Sequence, residues 1–195
     1  MEWNILFMGP VGAGKTQAIR TISDIEVLNT DEQATDDTRL MKSHTTVSMD
    51  VGALHLVGSD KLRLYGAPGQ DRFDFMWDIL LEQSKAVVLV LNHNNPDPAA
   101  DLDHYLKALE ARLLTRKLPM VICVTHTDMQ PRRPLSLYQD VLSKRCRRVT
   151  DVVPPVLEMD ARNKKHVHAA LVAMTALLEM AERFPKPALT GSHQS

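Results

Sequence analysis

The sequence is short of the features that mark out most specialised protein classes. Its 195 residues include only two cysteines, Cys123 and Cys146, too few for a disulfide framework, and both read as reduced thiols of a cytosolic protein. Neither charge sign dominates: 23 Lys plus Arg against 24 Asp plus Glu leave a net charge of −1, without the basicity of a nucleic-acid binder. The longest apolar runs, Ala86–Leu91 and Leu118–Val124, fall far short of the ~18 residues of a membrane span. Met1-Glu2-Trp3-Asn4 lacks a basic signal-peptide region and the glycine for myristoylation, and the last residues hold no prenylatable cysteine. The expectation is a cytoplasmic protein with no nucleic-acid partner and no membrane anchor of its own. What remains, 44 % hydrophobic and 24 % charged residues, has the balance of a globular domain and excludes disorder, collagen and coiled coil.

Apolar runs alternate with amphipathic stretches, which predicts an α/β fold: a six-stranded, mostly parallel sheet with helices on both faces. Trp3–Met8 reads as a buried first strand and Gly14–Ser23 as the helix after it. Thr46–Val57 and Lys61–Tyr65, separated by Gly58-Ser59-Asp60, read as an antiparallel hairpin. Ala86–Leu91 and Met120–Val124 are uniformly apolar, as central strands are. Val152–Met159 reads as a sixth strand that Pro154-Pro155 confines to an edge. Leu102, Tyr105, Leu106, Leu109 and Leu113 mark one helix; Val167, Leu171, Met174 and Leu178 mark the last. The organisation expected is one domain over 1–183, with 184–195 a disordered tail, and Thr30–Ser43 a long polar loop of functional kind.

Between the first strand and its helix stands Gly9-Pro10-Val11-Gly12-Ala13-Gly14-Lys15-Thr16, followed by Gln17. This is the pattern G-x-x-x-x-G-K-[ST] in the strand–loop–helix context that gives it meaning. Successive backbone N–H groups would hold phosphate oxygens at the positive end of the helix dipole. Lys15 would bridge the outer phosphates and the Thr16 hydroxyl would ligate Mg²⁺.

Further along, Gly66-Ala67-Pro68-Gly69-Gln70-Asp71-Arg72-Phe73, Thr46-Val47-Ser48-Met49-Asp50, Thr125-His126-Thr127-Asp128 and Asp160-Ala161-Arg162 follow their strands or loops in order. With the P-loop, this series resembles the Ras-like small GTPases, as a G domain over most of the chain. The resemblance implies that Gly69 contacts the γ-phosphate, Gln70 orients the attacking water, and Thr46 (with Thr45 as its neighbour) completes the Mg²⁺ shell. It places the base at Asp128, which can accept from the N1 and N2 hydrogens of guanine that adenine lacks. His126 would pack on the base, Thr125 replaces an Asn, and a backbone N–H of Asp160-Ala161-Arg162 would meet guanine O6. The implied activity is a GTP/GDP switch that hydrolyses GTP slowly and signals to an effector, with an activating protein.

Three departures bear on that expectation. Gly66 stands where the family has an Mg²⁺-holding Asp, leaving Asp50 or Asp36 as possible substitutes. Val11 crowds the reaction centre, and Thr125-His126 replaces Asn-Lys. The second-switch departures resemble the bacterial MglA-type branch, which implies Roadblock-type activators. Arg39 is a candidate arginine finger, and Arg72 is read as an ordinary second-switch arginine. Competing readings are a GTP-binding module with little hydrolysis and a P-loop small-molecule kinase, the latter suggested by Lys144-Arg145-Cys146-Arg147-Arg148. That cluster reads better as the solvated face of a helix or a patch for acidic partners.

Overall fold

A computed structural model of the chain describes residues 2–29, 49–56, 58, 60–69, 75–113 and 116–184. Its strands are β1 (Glu2–Met8), β2 (Leu28–Asn29), β3 (Asp50–His55), β4 (Lys61–Gly66), β5 (Ala86–Asn92), β6 (Met120–Thr125) and β7 (Val156–Glu158). Its helices are α1 (Lys15–Ile22), α2 (Phe75–Gln83), α3 (Pro98–Arg112), α4 (Leu137–Val149) and α5 (Lys164–Arg183). The strands form one sheet in the order β2-β3-β4-β1-β5-β6-β7. β4, β1, β5, β6 and β7 run parallel, while β3 pairs antiparallel with β4 and β2 with β3.

The strands expected from the apolar runs are present, and the short β2 adds a seventh at the edge. β3 is shorter than the alternation over Thr46–Val57 suggested, and residues 46–48 and 57 lie outside the described set. β7 begins only after Pro155, whose carbonyl accepts from Ile122 N–H at 3.0 Å; two successive prolines have no ladder donors to offer before it.

Side-chain alternation along the central strands divides the core in two. Leu6, Met8, Val87, Leu89, Leu91, Met120, Ile122 and Val124 pack under α2, α3 and α4. Ile5, Phe7, Val88, Val90, Val121 and Cys123 pack under α1 and α5. Cys123 and Cys146 are free thiols sealed in these layers. Among the described residues, no helix is long and apolar enough to cross a membrane.

Two helices carry no clear sequence signature. In α2, Phe75 and Ile79 are exposed although apolar, so its stripe is blurred. Its buried face is set by Trp77, which stacks on Tyr105 with ring centroids 5.3 Å apart. α4 absorbs the basic cluster. Arg145 pairs with Asp103 and Glu110, and Arg148 with Glu110, so these cations are anchored to α3 rather than forming a lid over a substrate.

Candidate nucleotide-binding site

β1 lies between β4 and β5, so chain connections leave it in opposite directions across the sheet. Ligands of open α/β sheets bind outside the carboxyl ends of strands at such a point. The Gly9–Thr16 loop is the continuation of β1 there. Gly9 has φ +137°, and a Cβ on it would sit 1.9 Å from the Val90 carbonyl oxygen, so no other residue fits. Gly12 and Gly14 also have positive φ, +75° and +96°, and Gly14 opens α1. Within the loop, Ala13 N–H bonds to Pro10 O at 3.3 Å. The N–H groups of Gly12, Gly14, Lys15 and Thr16 have no hydrogen-bond partner among the described residues. Unpaired donors at a helix N-terminus form an anion cradle.

Lys15 is buried and turned back on this loop, its Nζ donating to Gly9 O at 2.7 Å and Pro10 O at 2.8 Å. Burial pulls its pKa down to about 8, with the Asp50 charge opposing. Gly69 closes the same corner. A Cβ there would meet Lys15 Nζ at 2.7 Å and the Val11 nitrogen at 2.8 Å. The segment is held by Trp77, whose indole N–H donates to Pro68 O at 3.3 Å. Val11 is 62 % exposed at the mouth.

Thr16 donates its hydroxyl to Asp50 Oδ2 at 2.5 Å. Asp50 is buried at the start of β3, directly across the ladder from Gly66. Hydroxyl, carboxylate and, when bound, phosphate oxygens are the hard donors that Mg²⁺ prefers, so these residues fit the ion. Gln17 is exposed and its Nε2 donates to Thr21 Oγ1 at 3.0 Å.

The base-side residues gather around a cleft of about 520 Å³ that Gly12, Gly14 and Gln17 share with Thr125–Met129 and Glu158–Arg162. Thr125, buried at the end of β6, ties the two ends of the site together. Its hydroxyl lies 2.8 Å from Ala13 O and 3.1 Å from Leu91 O, with His126 Nδ1 at 2.9 Å. One hydroxyl proton cannot serve three partners, so the carbonyls share it and His126 donates to the oxygen. His126 has φ +57°, the left-handed region, and that reversal starts the 3-10 turn Thr127–Met129. Asp128 is exposed to the cleft. No hydrogen bond to its carboxylate exists among the described residues, so it does not cap the turn before Pro131.

Across the cleft, Asp160 is fully engaged. Its carboxylate accepts from Arg162 Nε at 2.9 Å, Nη2 at 3.1 Å and backbone N–H at 2.9 Å. The Arg162 guanidinium, then its N–H, hold the Asp160 carboxyl below the usual range. The Asp160 N–H donates to His166 Nδ1 at 3.1 Å. Ala161 O accepts from Thr21 Oγ1 at 2.7 Å, which leaves the Ala161 N–H as the donor of this loop without a partner among the described residues.

The base loop has supports that no motif announces. His93 is buried just after β5, and its N–H donates to Thr125 O at 2.9 Å. Its Nε2 donates to Arg133 O at 3.1 Å, so Nδ1 accepts from the Tyr138 hydroxyl at 2.9 Å. Arg133 Nη1 returns to His93 O at 2.6 Å and Asn95 O at 2.7 Å, and Gln130 bonds Asn94 at 3.0 Å. The only sequence signal for this hub is a histidine at a strand end, which by itself means little.

Thr46, Thr45, Gln70, Arg72, Arg39 and Asp36, with the loop 30–43 and the tail from 185, lie outside the described residues.

A glycine cradle on a parallel sheet, with a base-sized cleft beside it, defines a P-loop nucleotide-binding α/β protein. The chain belongs to the family described as conserved hypothetical ATP binding protein, whose sequence profile matches residues 23–189. It is also 30 % identical over 84 residues to an uncharacterized protein of Methanocaldococcus jannaschii, an alignment covering 43 % of this chain and 51 % of that protein. The chain thus spans about half the length of the curated relative it matches.

That membership corrects the resemblance drawn from the motifs: the chain is not a Ras-like small GTPase, nor of the MglA-type branch. The motifs misled because a Gly-Lys-Thr loop and an Asp after a late strand answer problems common to P-loop nucleotide sites. The departures, which pointed to the MglA-type branch, have local physical reasons instead. Gly66 faces a carboxylate on the neighbouring strand, and Thr125 uses its side chain to brace the P-loop.

Proposed function

We propose that this chain binds a guanine nucleotide with Mg²⁺ and slowly hydrolyses GTP to GDP, the two states being read by a partner protein. The observation that carries the base assignment is the Asp128 carboxylate, which accepts no hydrogen bond among the described residues and feels Arg162 through charge alone, facing a cleft whose opposite wall offers the Ala161 N–H, also without a partner among them. Guanine presents two donors, N1–H and N2–H, to a carboxylate and an acceptor, O6, to an amide. Adenine would leave Asp128 unsatisfied and turn its amino group toward another donor, a mismatch worth several kcal/mol when buried.

The phosphates would lie along the Gly12–Thr16 amides, with Lys15 exchanging its two loop carbonyls for phosphate oxygens. Mg²⁺ bound at Thr16, with Thr46 as an expected second ligand, would neutralise charge on the β- and γ-phosphates. Gly69 against Lys15 Nζ supports a γ-phosphate contact for its N–H, and Gln70, next in sequence, is the residue to orient water. Val11 at the mouth supports a slow reaction.

An adenine-binding reading is favoured by the family's description. Competition against labelled GDP separates the two: GTP should displace it and ATP should not, and effective displacement by ATP sinks the guanine assignment. Asp128→Asn gives a sharper test, because a carboxamide matches xanthine (N1–H donor, O2 acceptor) and mismatches guanine. A swap of preference toward xanthosine diphosphate is expected. For hydrolysis, Gln70→Leu should keep nucleotide binding and lose single-turnover cleavage. Wild-type protein that binds GTP and never cleaves it would favour the binding-module reading.

A further inference from the structure

We infer that Asp50 is the carboxylate of the Mg²⁺ site, transferred to β3 from its usual place at the end of the strand beside the P-loop strand. P-loop proteins hold Mg²⁺ with the loop Ser/Thr and an aspartate on such a strand. Here that strand is β4, and its last residue is Gly66, which brings no side chain. Asp50 is the residue directly opposite Gly66 in the antiparallel β3–β4 ladder. Cross-strand partners stand about 5 Å apart at Cβ, so one neighbour can deliver a carboxylate to the corner the other would have filled.

The two residues are mutually exclusive in size. A Cβ on Gly66 would meet Asp50 Cβ at 3.0 Å and Oδ2 at 3.0 Å, and Ile19 Cδ1 at 3.1 Å. The glycine is therefore the space that the aspartate occupies. The carboxylate is also aimed correctly. It takes the Thr16 hydroxyl proton, which leaves the Thr16 oxygen lone pairs free for a cation, while its other oxygen can accept from metal-bound water, Mg²⁺ characteristically retaining several. Among the described residues, no three His, Cys, Asp or Glu side chains cluster to hold a metal by themselves. The site is thus completed by phosphate oxygens, and metal and nucleotide should bind together.

This inference rests on the nucleotide reading, and its test separates the two. The affinity of the wild-type chain for fluorescent methylanthraniloyl-GDP or -ADP, whichever it binds, is measured with Mg²⁺ and with EDTA. In Asp50→Asn, which keeps the size and an acceptor for Thr16, the ratio of the two affinities should fall about tenfold or more, as for loss of a partner in the outer coordination shell. The exchange variant Asp50→Gly/Gly66→Asp, whose new Cβ is tight only against the terminal methyl of Ile19 once the Asp50 side chain is gone, should recover most of that ratio. A wild-type ratio in Asp50→Asn, or an exchange variant no better than Asp50→Asn, overturns the inference and leaves nucleotide binding standing. Binding of neither nucleotide to the wild-type chain overturns the nucleotide reading itself.

Discussion

The phosphate end and the base end of this site are built by different means. The phosphate end is backbone: three glycines with positive φ, unpaired amides at a helix start, and carbonyls that occupy Lys15. The base end is side chain. Thr125, His93, Arg133, Gln130 and Tyr138 brace a short turn through bonds that span up to 112 positions of sequence. The first kind of construction tolerates almost no change of residue at a few points, whereas the second spreads its support over many residues that can each be altered at moderate cost.

Gly9→Ala should break the phosphate end most completely. With a Cβ 1.9 Å from the Val90 oxygen at φ +137°, a loss of about 3 kcal/mol or more is expected in chemical denaturation. Lys15→Ala should leave the chain folded and lower nucleotide affinity by about two orders of magnitude in titration, from two lost charge-assisted bonds. In the wild type, affinity should be greatest below pH 8 and fall as pH rises through about 8, where the free Lys15 amine gives up its proton. The sign follows because bound phosphate favours the ammonium, so binding takes up a proton above that pH. A flat profile between pH 7 and 10 would show that Lys15 does not face phosphate.

The base end should yield a smaller response. Tyr138→Phe strands the buried His93 Nδ1 without its donor, at a cost of about 1–3 kcal/mol in stability. The change in nucleotide affinity should be only severalfold, because the other braces of the turn persist. A loss as deep as that of Lys15→Ala would make the hub as critical as the cradle and erase the contrast.

The same contrast explains what could be read from the residues. Gly9–Thr16 is legible because its chemistry is local: spacing alone places glycines, lysine and hydroxyl on one loop. The central strands are legible because burial on both faces makes them uniformly apolar. Asp128 is legible as an acceptor but not as one without a hydrogen bond, since that depends on Arg162 bonding Asp160 across the cleft and acting on Asp128 through charge alone. His93 and Tyr138 lie 45 positions apart, and no periodicity links them. α2 is not legible because two of its apolar residues face outward. The family is not legible for a related reason: short motifs report the ligand's demands more faithfully than the lineage of the chain that meets them.

The two native thiols carry a practical consequence. Cys123 is fully enclosed, its pKa pushed up to about 12 by burial, and Cys146 is 1 % exposed, so neither sulfur is open to an alkylating reagent. A single cysteine introduced at Met129, which is 55 % exposed beside the cleft, would accept a maleimide dye with no background from the rest of the molecule. Such a conjugate would turn occupancy of the cleft into an optical signal.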